Sequence, residues 1–283
     1  MAVDGSVTLE LKNISKYFGS VVANKGVDLT LRKGEILALL GENGSGKTTL
    51  MNMISGIYYP DEGQIFVNGR EVSIASPQDA FRYKIGMVHQ HFKLIDLFTA
   101  AQNIVLGIKG RYNIKRINEE VKDIADRYGF AIDPKKKIYD MSVSEKQTVE
   151  IIKVLYRGAD ILILDEPTAV LTPQETEKLF SVMRAMKADG KSIIIITHKL
   201  REVMEISDRV AVLRKGEYIG CVNTADTNEA SLTEMMVGKK VELNIERPVT
   251  QFDKPLLEIR HLCVKGDEGN RATDDLSFFI RGG

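Results

Sequence analysis

Apolar and polar residues alternate through most of the first 90 residues, and this pattern predicts short β-strands with one buried face. In the stretches 9–14 and 27–31, leucine, isoleucine and valine are interspersed with polar residues. The run Glu35 to Leu40 is instead almost continuously apolar, which is typical of a parallel strand buried on both faces. Further short strands are predicted at 64–67 and 85–88.

The pattern changes in the middle of the chain. Residues 114–128 place apolar side chains at spacings of three and four, which predicts an amphipathic helix, and 145–156 predicts a second helix. From residue 160 onwards strands and helices alternate, which predicts a parallel sheet covered by helices. The predicted order is strand 161–164, helix 174–188, strand 192–197, helix 199–205 and strands 209–213 and 217–222. Residues 239–256 contain Pro248 and Pro255 and little periodicity, and they are predicted to form a linker.

Two blocks near the start of the chain recur near its end. Leu9–Ile14 resembles Leu257–Leu262 at an offset of 248 residues, and Val27–Gly34 resembles Leu276–Gly283 at an offset of 249. Nearly equal offsets favour a tandem repeat of the whole domain, with the last residues beginning a second copy in a natural chain of roughly 500 residues. The alternative is that short amphipathic strands simply look alike.

Composition narrows the class of protein. The 283 residues include 39 basic and 39 acidic side chains, and this zero net charge argues against a dedicated nucleic-acid binder. The two cysteines form neither a disulfide framework nor a metal quartet, so a reducing compartment is expected. No apolar run approaches the length of about 18 residues that spans a bilayer, and the N-terminus lacks a secretion signal. We therefore expect a soluble chain that reaches a membrane only through a partner.

The segment Gly41 to Thr48 matches the phosphate-binding pattern G-x-x-x-x-G-K-[ST], between an apolar strand and a predicted helix. Its glycines let the backbone curl so that N–H groups point at phosphate oxygens, and the helix adds its positive end. Lys47 would reach the β- and γ-phosphates, and Thr48 would offer its hydroxyl to Mg²⁺. The alternative is a glycine-rich turn without a ligand. The predicted nucleotide-binding residues are Gly41, Asn43, Gly44, Ser45, Gly46, Lys47, Thr48 and Thr49.

A second motif is the apolar strand from Ile161 that ends in Asp165 and Glu166. A buried parallel strand delivers its last residues to the same sheet edge as the phosphate-binding loop. Asp165 would hold Mg²⁺ through its water shell, and Glu166 would polarise the attacking water as a general base. Acidic residues often end strands, so the motif carries weight only together with the loop upstream.

The order of further residues resembles the ATP-binding cassette (ABC) family over residues 7 to about 240. In order, these are the aromatic Tyr17, the phosphate-binding loop, Gln90, the signature segment 141–147, Asp165-Glu166 and His198. Segment 165–175 looks especially like the tandem-cassette ATPases of bacterial sugar and nucleoside importers.

The resemblance implies an α/β fold of the P-loop NTPase class. Its parts would be a mixed or parallel sheet core, an antiparallel β subdomain and a helical subdomain at about 92–158 that carries the signature. The cassette would span 1–240, a linker 241–255, and a truncated second cassette would begin at 256–283.

The resemblance also assigns roles and cofactors, ATP and Mg²⁺. Tyr17 would stack on adenine, unless it is a core aromatic. Gln90 would contact Mg²⁺ and sense the partner, although a glutamine at a strand end is usually a surface residue. His198 would hydrogen-bond the γ-phosphate, the alternative being a structural histidine. The implied catalytic residues are Glu166, His198, Lys47 and Gln90, and the implied magnesium ligands are Thr48, Gln90 and Asp165.

The signature segment departs from the family pattern. Ser144 replaces the second glycine, Met141 a leucine and Thr148 a usual arginine. In the family, two cassettes pair head to tail, so Ser142 and Ser144 would face an ATP held by the opposite cassette. A side chain at position 144 would crowd that approach, although its hydroxyl could still donate a hydrogen bond. The signature is therefore expected to be altered rather than inactive.

These features lead to one main hypothesis, an ATP-binding and hydrolysing subunit that energises sugar or nucleoside import. Its partners would be the second cassette of the same chain, membrane permease subunits and, indirectly, a solute-binding protein, with no nucleic acid. It would lie in the cytoplasm, on the inner face of the cell membrane, with residues 91–98 in a groove for the permease or simply packed in the helical subdomain. The alternatives are a regulatory cassette with little turnover and a soluble ABC ATPase that acts on nucleic acid or ribosomes.

Overall fold

The computed structural model describes residues 7–108, 110, 113–239, 255–266 and 269–281. The chain divides into two units, Met1–Val241 and Glu242–Gly283. Residues 241–254 of the predicted linker lie outside the described residues. Among the described residues, no helix combines the length and the hydropathy needed to cross a bilayer.

The strands of the first unit are β1 (Val7–Phe18), β2 (Val21–Arg32), β3 (Ile36–Leu40), β4 (Glu62–Val67), β5 (Arg70–Val72), β6 (Ile85–Val88), β7 (Ile161–Asp165), β8 (Ser192–Ile196), β9 (Arg209–Arg214) and β10 (Glu217–Asn223). The helices are α1 (Lys47–Ile54), α2 (Pro77–Arg82), α3 (Ala100–Val105), α4 (Ile114–Tyr128), α5 (Val143–Tyr156), α6 (Pro173–Ala188), α7 (Leu200–Ile206) and α8 (Glu229–Val237). The strands and helices predicted from residue 160 to 222 are confirmed to within a few residues. The sequence patterns missed β5, α2, α3 and α8, which are all short.

The central sheet has the strand order β10-β9-β3-β8-β7-β6. All neighbours from β9 to β6 are parallel, and β10 pairs antiparallel with β9 at one edge. Every residue of β3, β7 and β8 is buried, which explains their continuous apolar runs. Because the carboxyl ends of parallel strands meet at one edge, the segments that follow β3, β6, β7 and β8 come together there.

The alternating first strands form a separate antiparallel sheet with the order β2-β1-β4-β5. Its buried face, which includes Leu9, Leu11 and Leu31, shares one core with α1 and with Leu37 of β3. The helical part has its own core, in which Ile104 of α3, Val121 of α4 and Val149 of α5 are buried. The predicted α/β fold with its three parts is therefore confirmed.

In the second unit, β11 (Pro255–Lys265) and β12 (Arg271–Arg281) form an antiparallel hairpin. Its backbone repeats that of β1 and β2. His261 has a φ of 55°, as Asn13 has 52°, and Asp275 has 49°, as Gly26 has 56°. The buried counterparts in β1 and β2 are exposed here, among them Leu257, Leu262, Leu276, Phe278 and Ile280.

Candidate nucleotide-binding site

The phosphate-binding loop lies between β3 and α1, where the backbone approaches its neighbours too closely for side chains. A Cβ atom at Gly41 would lie 2.3 Å from the Leu213 carbonyl oxygen. One at Gly46, whose φ is 94°, would lie 2.4 Å from the Ala23 carbonyl oxygen. Glycine is therefore required at both positions by close packing.

The loop ends in a helix N-terminus that its own chain leaves uncapped. Gly46 is the N-cap of α1, it makes no side-chain cap, and no acidic residue lies in the first turn. Lys47 is buried, and its ammonium donates to the carbonyl oxygens of Gly41, at 2.7 Å, and of Glu42, at 2.8 Å. Burial lowers the pKa of Lys47, against the opposing effect of the Glu166 and Asp165 carboxylates. This cation and the helix end both favour an anionic ligand.

Neighbouring segments hold the loop in place. The amide of Asn24 donates to the Gly46 carbonyl at 3.3 Å, and the Gly216 N–H donates to the Ser45 carbonyl at 3.1 Å. The Ser45 hydroxyl is buried and finds no hydrogen-bond partner among the described residues. A buried hydroxyl without a protein partner, in a loop of this kind, fits the role of a hydrogen-bond donor to a phosphate oxygen. Sequence reasoning missed Asn24 and Gly216, because their contacts depend on pairing between distant strands.

The acidic pair lies at the end of β7, next to the start of α1. Asp165 is buried, and the nearby Thr48 hydroxyl favours its charged form. Burial, and then the nearby Glu166 carboxylate, raise the pKa of Asp165 above its usual value. Thr48, Asp165 and Gln90 offer hydroxyl, carboxylate and amide oxygens, the donor types that suit Mg²⁺ when phosphates complete its ligands. No cluster of three or more His, Cys, Asp or Glu side chains able to hold a metal occurs in the described part of the chain.

Glu166 stands apart through its backbone, which has a φ of 49°. Such left-handed conformations cost energy in residues other than glycine and often mark functional sites. Its Oε1 lies 2.9 Å from Nδ1 of His198, and its own N–H donates to the Ile196 carbonyl. Only 11% of the Glu166 side chain is exposed, against 52% for His198. The pair therefore sits with the carboxylate sheltered and the imidazole open to solvent.

These groups line one cavity of about 650 Å³, a size typical of small-molecule sites. The predicted residues that line it are Asn43, Gly44, Ser45, Gly46, Lys47, Thr48, Thr49, Gln90, Glu166 and His198. Gly41 and Asp165 do not line the cavity, although both adjoin residues that do. Phe18, Val21, Val22, Ala23, Ala169 and Ile196 also line the cavity, and the motifs gave no signal for them.

The structure corrects the placement of the predicted aromatic residue. Tyr17 does not line the cavity, whereas Phe18 does. Successive side chains of a strand point to opposite faces, and the Tyr17 hydroxyl lies 3.5 Å from Glu62. The Phe18 ring packs edge-to-face on Tyr58 at 5.2 Å. Phe18 is therefore the aromatic residue at the mouth of the cavity.

Ser142 and Ser144 lie at the start of α5, outside this cavity. Ser142 accepts from the Glu145 N–H at 3.3 Å, and Glu145 accepts from the Ser142 N–H at 2.8 Å, so this helix start is capped by its own residues. Ser144 lies near Glu175 of α6, where it helps to lower the pKa of that carboxyl, an effect due first to hydrogen bonds from Thr172.

Known proteins resemble this chain in sequence. The family model for the ABC transporter matches residues 24–169. The chain is 50% identical over 279 residues, 97% of its length, to the guanosine import ATP-binding protein NupO of Bacillus subtilis, of which it covers 55%. It is 42% identical over 307 aligned residues, again 97% of its length, to the glucose import ATP-binding protein TsgD13 of Haloferax volcanii, of which it covers 56%.

Solved structures share the fold. A subunit of an ABC transporter complex from Clostridium perfringens superimposes with a TM-score of 0.70 at 27% identity, over 82% of this chain and 93% of that one. The chain spans about half the length of the curated relatives it matches.

Proposed function

Because this chain belongs to the ABC transporter family, we propose that it is the first of two cassettes in an ATPase that powers import of a nucleoside or a sugar. The observation that carries the proposal is the convergence of Lys47, Thr48, Gln90, Glu166 and His198 on one cavity of about 650 Å³. The two relatives named above are import ATP-binding proteins for a nucleoside and for a sugar, so the proposal includes both solute classes.

ATP binding rests on the phosphate-binding loop. The uncapped start of α1, the Lys47 ammonium and the unpaired Ser45 hydroxyl would take the phosphates. Lys47 would exchange its bonds to the loop carbonyls for phosphate oxygens. Mg²⁺, when bound, neutralises phosphate charge, and Thr48, Gln90 and Asp165 would hold it. Phe18, in place of Tyr17, would stack on the base. Stacking contacts no base edge, so it would not distinguish ATP from GTP.

Hydrolysis would depend on Glu166 and His198. Glu166, held by its strained backbone, would take the proton of the attacking water, and His198 would hydrogen-bond the terminal phosphate. In this structure the two side chains bond to each other. The contact uses Nδ1 of His198 and Oε1 of Glu166, so Nε2 would be the nitrogen that meets the γ-phosphate and Oε2 the oxygen that meets the attacking water.

The second unit supports a tandem arrangement. Its hairpin copies the backbone of β1 and β2 with apolar side chains exposed, as the first strands of a cassette would be before the rest of that domain covers them. We therefore assign 1–240 to the first cassette, 241–255 to a linker and 256–283 to the start of a second. The two would pair, with Ser142 and Ser144 facing the ATP of the second cassette.

A groove beside Gln90 would receive the permease. It is lined by residues of the segment after β6, by the start of α5 and by the loop after β7, namely Gln90, His91, Phe92, Leu94, Asp96, Ile138, Val143, Lys146 and Val170. Gln90 also lines the cavity, so an occupant of the groove would touch the nucleotide site directly. The protein would work on the cytoplasmic face of the membrane, with a solute-binding protein acting through the permease.

The test uses the full-length protein assembled with its permease in sealed vesicles. Uptake of labelled nucleosides and sugars should require ATP on the side of the cassettes and should stop with Glu166→Gln. An exposed carboxylate on α6, changed as Glu177→Gln, is the matched control and should transport normally. ATP-dependent binding of RNA without solute uptake would instead support the action on nucleic acid.

Ser144 favours a second candidate, a regulatory cassette that binds ATP with little turnover. With serine at this position, the signature would present a side chain to the opposite nucleotide where a glycine would present a bare N–H. If ATP turnover in the full-length protein were unchanged by Glu166→Gln, this candidate would replace the enzymatic one.

A further inference from the structure

Residues 89–98, the Gln90 segment, connect β6 to α3. All ten residues are described, and they form neither helix nor strand. Backbone N–H and C=O groups away from water need partners, and here these cannot come from a sheet or a helix. The partners of two peptide units in this segment are side chains from the helical part of the fold.

The first is the peptide unit of Lys93. Its N–H donates to Oε1 of Glu150 at 2.7 Å, and its carbonyl accepts from Nζ of Lys153 at 3.2 Å. Glu150 and Lys153 are one turn apart on α5 and pair with each other at 3.5 Å. Only 7% of the Glu150 side chain and 18% of the Lys153 side chain are exposed. A carboxylate buried to this degree needs both of its partners, because unpaired charge is costly away from water.

The second is the peptide unit of Ile95, held by Asn103 of α3. The Ile95 N–H donates to Oδ1 of Asn103 at 2.8 Å, and the Asn103 amide donates to the Ile95 carbonyl at 3.1 Å. Asn103 is fully buried. Residues 93–95 are thus fixed to the helical part at two neighbouring points, so the freedom of the segment lies between the end of β6 and Phe92.

Gln90 lies within that short free stretch, three residues before the Lys93 clamp. It lines the cavity with Lys47 and Glu166, and it lines the groove with Val143 of α5. The clamp residues are on the same helix that begins at Ser142, the signature segment. A tilt of α5 therefore pulls on Lys93 directly, and the displacement reaches Gln90 through two residues.

We propose that Glu150 and Lys153 are positioning residues that hold Gln90 at the nucleotide cavity and make its position follow the orientation of α5. Neither of them lines the nucleotide cavity. This inference rests on the proposed function for its effect on turnover, but the clamp itself can be tested without nucleotide.

The experiment compares Glu150→Ala, Glu150→Gln and a matched control in the full-length protein. The Gln variant keeps an acceptor for the Lys93 N–H and loses only the charge. The control is Glu35→Ala, because Glu35 is another buried carboxylate that accepts a backbone N–H, from Arg32 at 2.6 Å, and pairs with a cation, Arg209. Hydrogen exchange of peptides covering residues 90–95 is measured without nucleotide, and ATP turnover is titrated with Mg²⁺.

We expect Glu150→Ala to speed exchange of amides 90–95 by about tenfold, Glu150→Gln less, and Glu35→Ala not at all. The Mg²⁺ concentration for half-maximal turnover should rise several-fold in Glu150→Ala, with most of the rate recovered at saturating Mg²⁺ and partial rescue in Glu150→Gln. A merely structural role would lower the rate at all Mg²⁺ concentrations alike.

Unchanged exchange in Glu150→Ala overturns the clamp, and equal effects of Glu35→Ala overturn its specificity. Faster exchange with an unshifted Mg²⁺ dependence overturns the link to Gln90. Absence of ATP turnover in the wild-type protein is a different result, since it would refute the proposed function while the exchange measurement still decides whether Glu150 holds the segment.

Discussion

Two helix N-termini in this molecule carry the residues expected to meet nucleotides, and they are built in opposite ways. At α1 the N-cap is a glycine without a capping side chain, and the Ser45 hydroxyl beside it has no partner among the described residues. At α5 the N-cap Ser142 and Glu145 satisfy each other through a capping box. At α5 two capping bonds already use the N–H groups of Ser142 and Glu145, whereas at α1 no side chain competes with an anion for the N–H groups of the first turn. A phosphate would therefore complete the polar groups at the start of α1, whereas at the start of α5 it would meet a helix that is already capped by its own residues.

The first effect expected from this contrast is on ATP binding, at Lys47. Lys47→Ala removes the only cation of the phosphate-binding loop and should weaken ATP binding by about a hundredfold or more, roughly 2.7 kcal/mol, when affinity is measured by calorimetry. Lys84→Ala, which removes an exposed lysine paired with Asp160 at 2.9 Å, is the control and should bind ATP normally. Full affinity in Lys47→Ala would mean that the α1 end is no better an anion site than α5.

The next effect concerns chemistry rather than binding. Glu166→Gln should leave ATP affinity near that of the wild type and lower turnover at this site by about 10² to 10⁴, the usual contribution of a general base. Total turnover of the full-length protein then falls to the rate of the site that α5 completes. The residual rate is therefore a direct measure of what the self-capped helix start still supports, and it is read from phosphate release.

A smaller effect is expected at the α5 end. Ser144→Gly frees the N–H from its neighbouring side chain and should raise the residual turnover of the Glu166→Gln protein by about two- to fivefold, at most ~1 kcal/mol of barrier. Ser144→Ala removes the hydroxyl but keeps the Cβ atom, so it should not give this gain. A loss of turnover with Ser144→Gly would show that the hydroxyl itself contacts the nucleotide.

The smallest effect lies in the segment that joins the two regions. Burial, with Lys93 and Lys153 nearby, lowers the pKa of His89 to about 4, so the folded protein binds fewer protons than the unfolded chain between about pH 4 and 6.5. The free energy of unfolding should therefore fall as pH drops through this window. After allowance for partial exposure the loss is about 1 kcal/mol. Urea unfolding at several pH values should show a flatter dependence for His89→Gln, and an unchanged slope would contradict the assignment.

Much of the fold followed from local pattern. The continuous apolar runs gave β3, β7 and β8, and the spacing in 114–128 gave α4 with both of its ends, because each pattern reports burial of one element against a whole layer. The phosphate-binding loop was equally local, since its glycines and Lys47 lie within eight residues. For the same reason the short elements α2 and β5 escaped notice, as too few residues carry their periodicity.

What the sequence left open depends on pairing between distant residues. Tyr17 and Phe18 are adjacent aromatics, and only the register of β1 with β2 decides which one faces the cavity. Asn24 of β2 and Gly216, in the turn between β9 and β10, support the loop from other parts of the sequence. Glu150 and Lys93 are 57 residues apart, and neither segment has a sequence pattern that predicts their contact. These residues need the assembled fold to be recognised, whereas the motif residues do not.

The hairpin of β11 and β12 affects how this chain behaves in solution. A two-stranded sheet has free edges, and here Leu256, Phe279 and other apolar side chains stand in solvent, with Leu256 76% exposed. Such a ribbon is a template for adding strands from another molecule. Preparations of this polypeptide should therefore self-associate as concentration rises, and light scattering should trace the onset to residues 255–281, since Phe279→Lys in this ribbon should delay it without altering nucleotide binding.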